Sequence, residues 1–79
     1  MNFFYINDEN IFIGNSIGKL DLRKKTDATI IAIVRKGSTI STPAAGEILL
    51  AGDTLVITGT HKAVDLAFEY LSGKDSDLV

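Results

Sequence analysis

The chain has no cysteine, a single proline, a single histidine and no long apolar run among its 79 residues. Each shortage excludes something. Without cysteine there are neither disulfides nor thiolate metal sites, which fits a reducing compartment. No stretch approaches the roughly 20 apolar residues of a membrane span, so no direct membrane insertion is expected. The opening MNFFYINDEN has neither the basic start nor the apolar segment of a secretory signal, and the chain reads as cytoplasmic. A basic excess is missing too: 8 Lys and Arg stand against 10 Asp and Glu, a formal charge of −2. General nucleic-acid binders carry the opposite balance to neutralise phosphates, so neither DNA nor RNA is an expected partner.

Chemistry is equally sparse. No Gly-x-Gly-x-x-Gly follows a strand-like run, which leaves out a dinucleotide fold. His61 stands at the start of a helical pattern with no nucleophile or carboxylate paired to it, so no catalytic residues are expected and the chain does not read as an enzyme. No carboxylate cluster has the spacing of metal ligands, and no metal is expected; Glu47 and Asp53 remain only as oxygens that a dimer could bring together. The basic run Arg23, Lys24 and Lys25 reads as a solvated helix end.

What the chain has is the composition of a folded domain, 46% hydrophobic and 23% charged. Its length allows one domain over residues 1–79, a piece or a subunit of something larger, with 72–79 as a polar tail. A core this small is marginal alone, and without disulfides or metals a second copy is the expected supplement.

Phe3 to Ile6 reads as a short strand, NDEN as a turn, and Ile11 to Ile13 as an apolar patch ending at Gly14. Asn15 or Ser16 is placed to cap a short helix through about Arg23, with Ile17, Leu20 and Leu22 toward the core and Lys24, Lys25, Thr26 and Asp27 on the solvent side. Ala28 to Val34 is a nearly continuous, β-branched apolar run, which predicts a strand buried on both faces. Lys36-Gly37 supplies a tight turn, Thr39 to Thr42 returns antiparallel, and Pro43 ends the strand for want of an N–H. Ile48 to Leu50 precede a turn at Ala51-Gly52-Asp53, where Asp53 is expected to bond nearby backbone. Thr54 to Thr58 is another strand. His61 to Leu71 is helical by period, with Thr60 as its cap and Ala63, Val64, Ala67, Phe68 and Leu71 inward. The fold class is α+β, a small antiparallel or mixed β-sheet with two covering helices.

The pieces GNSIGKLDLRKK, then TIIAIVRKG with STP following the arginine, then LLAGDTLVITGT before a final helix, keep an order and spacing that resembles a known family. It is similar to the C-terminal regulatory domain of potassium-transport proteins, called RCK_C or TrkA-C, from about Ile11 to Leu71. The resemblance implies an accessory domain of a membrane cation channel or transporter subunit, such as a potassium uptake system or a cation:proton antiporter. It also implies a homodimer, a location beside or tethered to the membrane protein, and in several members a dimer cleft that takes the small nucleotide cyclic di-AMP. No cofactor other than that regulatory ligand is implied.

Arg35 ends the apolar strand at a turn, where its fork of donors suits a phosphate. The resemblance matches it to the ligand-contacting arginine of cyclic di-AMP binders, places Ser41, Thr42 and Pro43 across the same cleft, and gives Ile30 and Ile31 as an apolar surface for adenine. On this reading Arg35→Ala weakens binding with the fold intact. Many family members carry Asn before this proline, whereas this chain has Thr42, a hydroxyl in place of an amide's donor and acceptor. Two other readings stand beside the sensing domain. Arg35 solvates a hairpin end with the isoleucines in the core, or the domain is a purely structural dimerisation module with no ligand.

Overall fold

The computed structural model describes residues 1–73. The expected tail lies outside the described residues from 74 onward. In chain order the elements are β1 (Asn2–Tyr5), α1 (Ile17–Leu20), α2 (Leu22–Thr26), β2 (Thr29–Arg35), β3 (Ser38–Ser41), β4 (Thr54–Thr58) and α3 (His61–Leu71). The four strands form one sheet in the order β1-β4-β2-β3, and every pairing is antiparallel. The expected α+β class holds, with the sheet antiparallel throughout.

The two strands richest in branched apolar residues, β2 and β4, occupy the centre, where each pairs on both sides. Leu55 and Ile57 of β4 point to the helix face and are fully buried, with Ile33 of β2 beside Leu55 in register. Leu20, Leu22, Ala63, Ala67 and Leu71 from the helices close over them, and Ile6 and Leu49 complete the core. Phe4 meets Phe68 edge to face, centroids 5.1 Å apart, a favoured aromatic geometry.

Among the described residues the helices cover one face of the sheet only, although Val56 on the other face is also buried. The expected burial of β2 on both faces is therefore corrected: Ile33 is buried, but Ala32 and Val34 are half-buried and Ile31 is 36% exposed. A bulge helps explain the misleading run. Register shifts between Ile30, opposite Ile57, and Ala32, opposite Val56, so Ile31 is an extra residue on β2. Ile30 and Ile33 consequently reach the same core although an odd number of residues apart, and the sequence loses its alternation. Phe3 and Tyr5, 58% and 61% exposed, project from β1 on the open face.

Local chemistry sets the boundaries. Thr60 caps α3 by accepting the Ala63 N–H at 3.1 Å, so this helix falls where its period predicts. Ser16, not Asn15, caps α1 through the Lys19 N–H. The single helix expected from there is broken at Asp21, whose φ of 53° is left-handed. Leu20 and Leu22 are both buried, yet two residues along an unbroken helix would point about 200° apart. The left-handed residue resets the phase so that both reach the core. Thr26, expected on the solvent side, is buried: its hydroxyl donates to Leu22 O at 2.8 Å and accepts from Ala28 N at 3.1 Å.

Lys36 and Gly37 both have positive φ, the sign that a type I′ hairpin turn requires. Thr42 also has positive φ, 48°, although it is β-branched and precedes proline, two conditions that disfavour it. Asn tolerates this region far better. Thr42→Asn is expected to stabilise the domain by about 1 kcal/mol, read as a rise of roughly 4–8 °C in melting temperature; an unchanged or lower value would show that Thr42 is not strained.

Candidate functional site

The register Val34 opposite Thr54 brings the next residue outward on each strand, Arg35 and Asp53, side by side at the end of the central pair. Alternation turns Arg35 to the helix face, like Ile33 two residues before it. There its guanidinium meets a fully buried carboxylate. Nε donates to Asp53 Oδ1 at 2.8 Å and Nη2 to Asp53 Oδ2 at 2.9 Å, the bidentate fork of a strong ion pair. Nη2 also donates to the Ile48 carbonyl at 2.9 Å, and Nη1 donates to Glu47 Oε2 at 3.0 Å.

Asp53 is tied on every side. Its Oδ2 accepts the Leu50 N–H at 2.9 Å, and its backbone bonds Ile6 and Leu50. Burial alone pushes its carboxyl up, but the hydrogen bonds from Arg35 and Leu50 N outweigh this and hold it below the usual carboxylate range. The Asp53 hydrogen bond, followed by Glu47, raises the Arg35 guanidinium further against the desolvation that opposes it. Both groups therefore stay charged.

Segment 44–53 is thus pinned to the sheet by one arginine, and its backbone joins it to the first helix. Ile17 N donates to Glu47 O and Gly18 N to Ala45 O, both at 2.8 Å, so the loop carbonyls satisfy amides of the first turn of α1. Gly18 fits because a Cβ there would lie 3.1 Å from the Ala45 carbonyl oxygen. Leu49 continues the pairing to Asn15 and Gly14.

The six residues expected to hold a ligand are not gathered into one pocket of a single chain. Ile31, Ser41 and Thr42 meet at the open end of the β2–β3 hairpin, where Ser41 pairs with Ala32 and Thr42 N donates to the Ile31 carbonyl at 2.9 Å; Pro43 follows. Arg35 is beside the turn, roughly 13 Å along the strand from Ile31, and faces the helices while Ser41 faces the open side. Ile30 lines a groove of about 200 Å³ with Ile17, Gly18, Leu22 and Ala28, and none of the other five lines it.

The ion pair was missed in the sequence because its partners are 18 residues apart. The Gly52-Asp53 turn predicts a local bond, which exists to Leu50, but the longer link becomes visible only once β2 and β4 are aligned. Its effect on the Arg35→Ala test is direct. That substitution would leave Asp53 buried and unpaired, so the expectation of an intact fold is withdrawn. Glu47 and Asp53, considered as oxygens across a dimer, both turn onto Arg35 instead. His61 is exposed directly after the α3 cap.

Residues 3–72 match the model of the TrkA-C domain. The K(+)/H(+) antiporter subunit KhtT of Bacillus subtilis is 38% identical over 64 residues, which are 78% of this chain and 39% of that protein. The chain thus spans well under half of its relative. An RCK_C domain dimer of S. agalactiae BusR, solved in complex with c-di-AMP, superposes with a TM-score of 0.81 at 25% identity, covering 92% of this chain and 90% of that one. BusR has also been solved with its busAB-promoter DNA, where the match covers 36% of that chain. The RCK_C domain of the potassium transport protein KtrA, in complex with c-di-AMP, superposes with a TM-score of 0.77 at 26% identity, covering 86% of this chain and 78% of that one.

Proposed function

Because the chain belongs to the TrkA-C domain family, we propose that it is a ligand-sensing and dimerisation domain that regulates a potassium or other cation transport protein, with cyclic di-AMP held at a dimer cleft. The observation that carries this reading is the close superposition, over nearly the whole of both chains, on a domain dimer solved with that nucleotide. The geometry supports it in a specific way. Ile31, Ser41, Thr42 and Pro43 lie at one end of the hairpin and Arg35 at the other, so a site containing all of them is best assembled from two copies. Cyclic di-AMP is itself two-fold symmetric and suits such a cleft. The one-sided sheet, with Phe3, Tyr5 and Ile31 exposed, gives a second copy apolar area to cover.

In this role the domain performs no chemistry. It works in the cytoplasm, beside a membrane channel or transporter subunit, by binding ligand more tightly in one state of the assembly than in the other. DNA and RNA are outside the proposal, since a net charge of −2 carries no basic excess to neutralise phosphate backbones.

One observation favours the second reading, a structural dimerisation module without ligand. Four hydrogen bonds already engage Arg35, of the five N–H donors that a guanidinium has. Thermal unfolding with and without cyclic di-AMP, alongside the mass in solution, separates the two. A dimer whose melting temperature climbs with nucleotide concentration supports the sensor, because a ligand of the folded state must stabilise it. A dimer indifferent to saturating nucleotide supports the structural module, and a monomer indifferent to it removes both.

A further inference from the structure

Arg35 has two unlike sides. Its inner edge, Nε and Nη2, is fixed on a carboxylate that is 0% exposed and bonded also to Leu50 N. Its outer nitrogen, Nη1, meets only Glu47 Oε2 among the described residues, and the Glu47 side chain is 29% exposed. The backbone of Glu47 is held independently, its carbonyl accepting from Ile17 N and its N–H donating to Ala44 O. The Glu47 side chain can therefore swing into solvent without disturbing the loop, whereas Asp53 cannot leave.

Charge makes the same distinction. One guanidinium with two carboxylates carries a net charge of −1, so an approaching phosphate meets repulsion and an occupied donor together. With Glu47 turned away the cluster is neutral, and Nη1 has both of its N–H groups to offer an anion.

We propose that the Glu47 carboxylate is an internal placeholder for the ligand's phosphodiester group: it occupies the outer nitrogen of Arg35 in the ligand-free domain, and an anionic ligand binds by displacing it. The inference rests on Arg35 being a ligand contact, as in the function proposed above. It assigns Glu47 the role of setting affinity, and it explains how an arginine already paired for structure still recognises an anion. Arg35 keeps its fork to Asp53 throughout, so the sheet end stays intact while the outer contact is exchanged.

Titration calorimetry with cyclic di-AMP on the wild type, Glu47→Gln and Glu47→Ala tests this, with circular dichroism to establish that each is folded. Gln keeps an acceptor for Nη1 but removes the charge, and Ala removes both. Both variants are expected to bind the nucleotide at least about tenfold more tightly than the wild type. Binding by the variants alone, with none measurable in the wild type, would support the placeholder equally. Wild-type binding with equal or weaker binding in both folded variants would overturn it and leave the ligand site standing. No binding by any of the three would remove the ligand site itself, and the placeholder with it.

Discussion

Asp53→Asn is expected to lower the unfolding free energy by about 3–5 kcal/mol, the cost of breaking a buried ion pair from one side. The carboxylate accepts three hydrogen bonds, two from Arg35 and one from Leu50 N, in a place that no water reaches. An amide cannot replace it: in either orientation its NH2 would face an Arg35 N–H, and in one of them the Leu50 N–H as well, donor against donor, and the guanidinium would keep its charge without its inner partner. Domains have about 5–15 kcal/mol of stability in total, so the variant would lose much of it. Urea unfolding checks this as a lower midpoint with an unchanged slope; a loss under 1 kcal/mol would show that the pair contributes little.

The same carboxylate fixes a pH dependence. Its folded pKa lies below the unfolded value because the Arg35 and Leu50 hydrogen bonds outweigh burial. A depressed folded pKa contributes stability that is fully present above the unfolded value, about 4, and disappears as the pH falls through the folded one. Wild-type stability should therefore decline on acidification below about pH 4, and Asp53→Asn should lack that part of the decline. Parallel acid profiles for the two proteins would contradict the assignment.

Leu55→Ala is expected to cost about 2–5 kcal/mol, comparable to losing the ion pair but by a different route. Leu55 is fully buried on β4, one of the two central strands, with Phe4 on one side and Ile33 on the other, beneath the helices. Truncation removes apolar contact from all of them, and paired strands on both sides limit how far the site can collapse. Equilibrium unfolding in urea gives the measure. A cost below 1 kcal/mol would mean that the core relaxes into the space.

Much of this architecture was legible because it is written at short range. The helix over 61–71 combines a 3.6-residue period with a threonine at its cap, and local pattern and tertiary burial agree there. Thr54 to Thr58 was legible in the same way. Two of the failures share a cause, a single residue whose conformation changes the phase of a pattern. At Asp21 a left-handed backbone lets two leucines two residues apart share a core, and at Ile31 a bulge does the same for a strand. Thr26 escaped because its hydroxyl is satisfied by backbone, which makes burial of a polar side chain inexpensive.

The candidate site was legible as a residue but not as an environment. Arg35 stands out as a charge ending an apolar run. Its environment depends on which strand lies beside β2, which the sequence alone left open.

The pairing of β1 with β4 also has a consequence for how the protein is made. Residues 2–5 find their partners only at 54–57, while β2 and β3 are joined by a two-residue turn. At translation speeds of about 5–20 residues per second, roughly 3 to 10 s separate synthesis of the first strand from synthesis of its neighbour. The hairpin can close long before then. Through that interval the Phe-Phe-Tyr segment is without its strand partner, so chaperone demand during synthesis should include the first few residues of the domain.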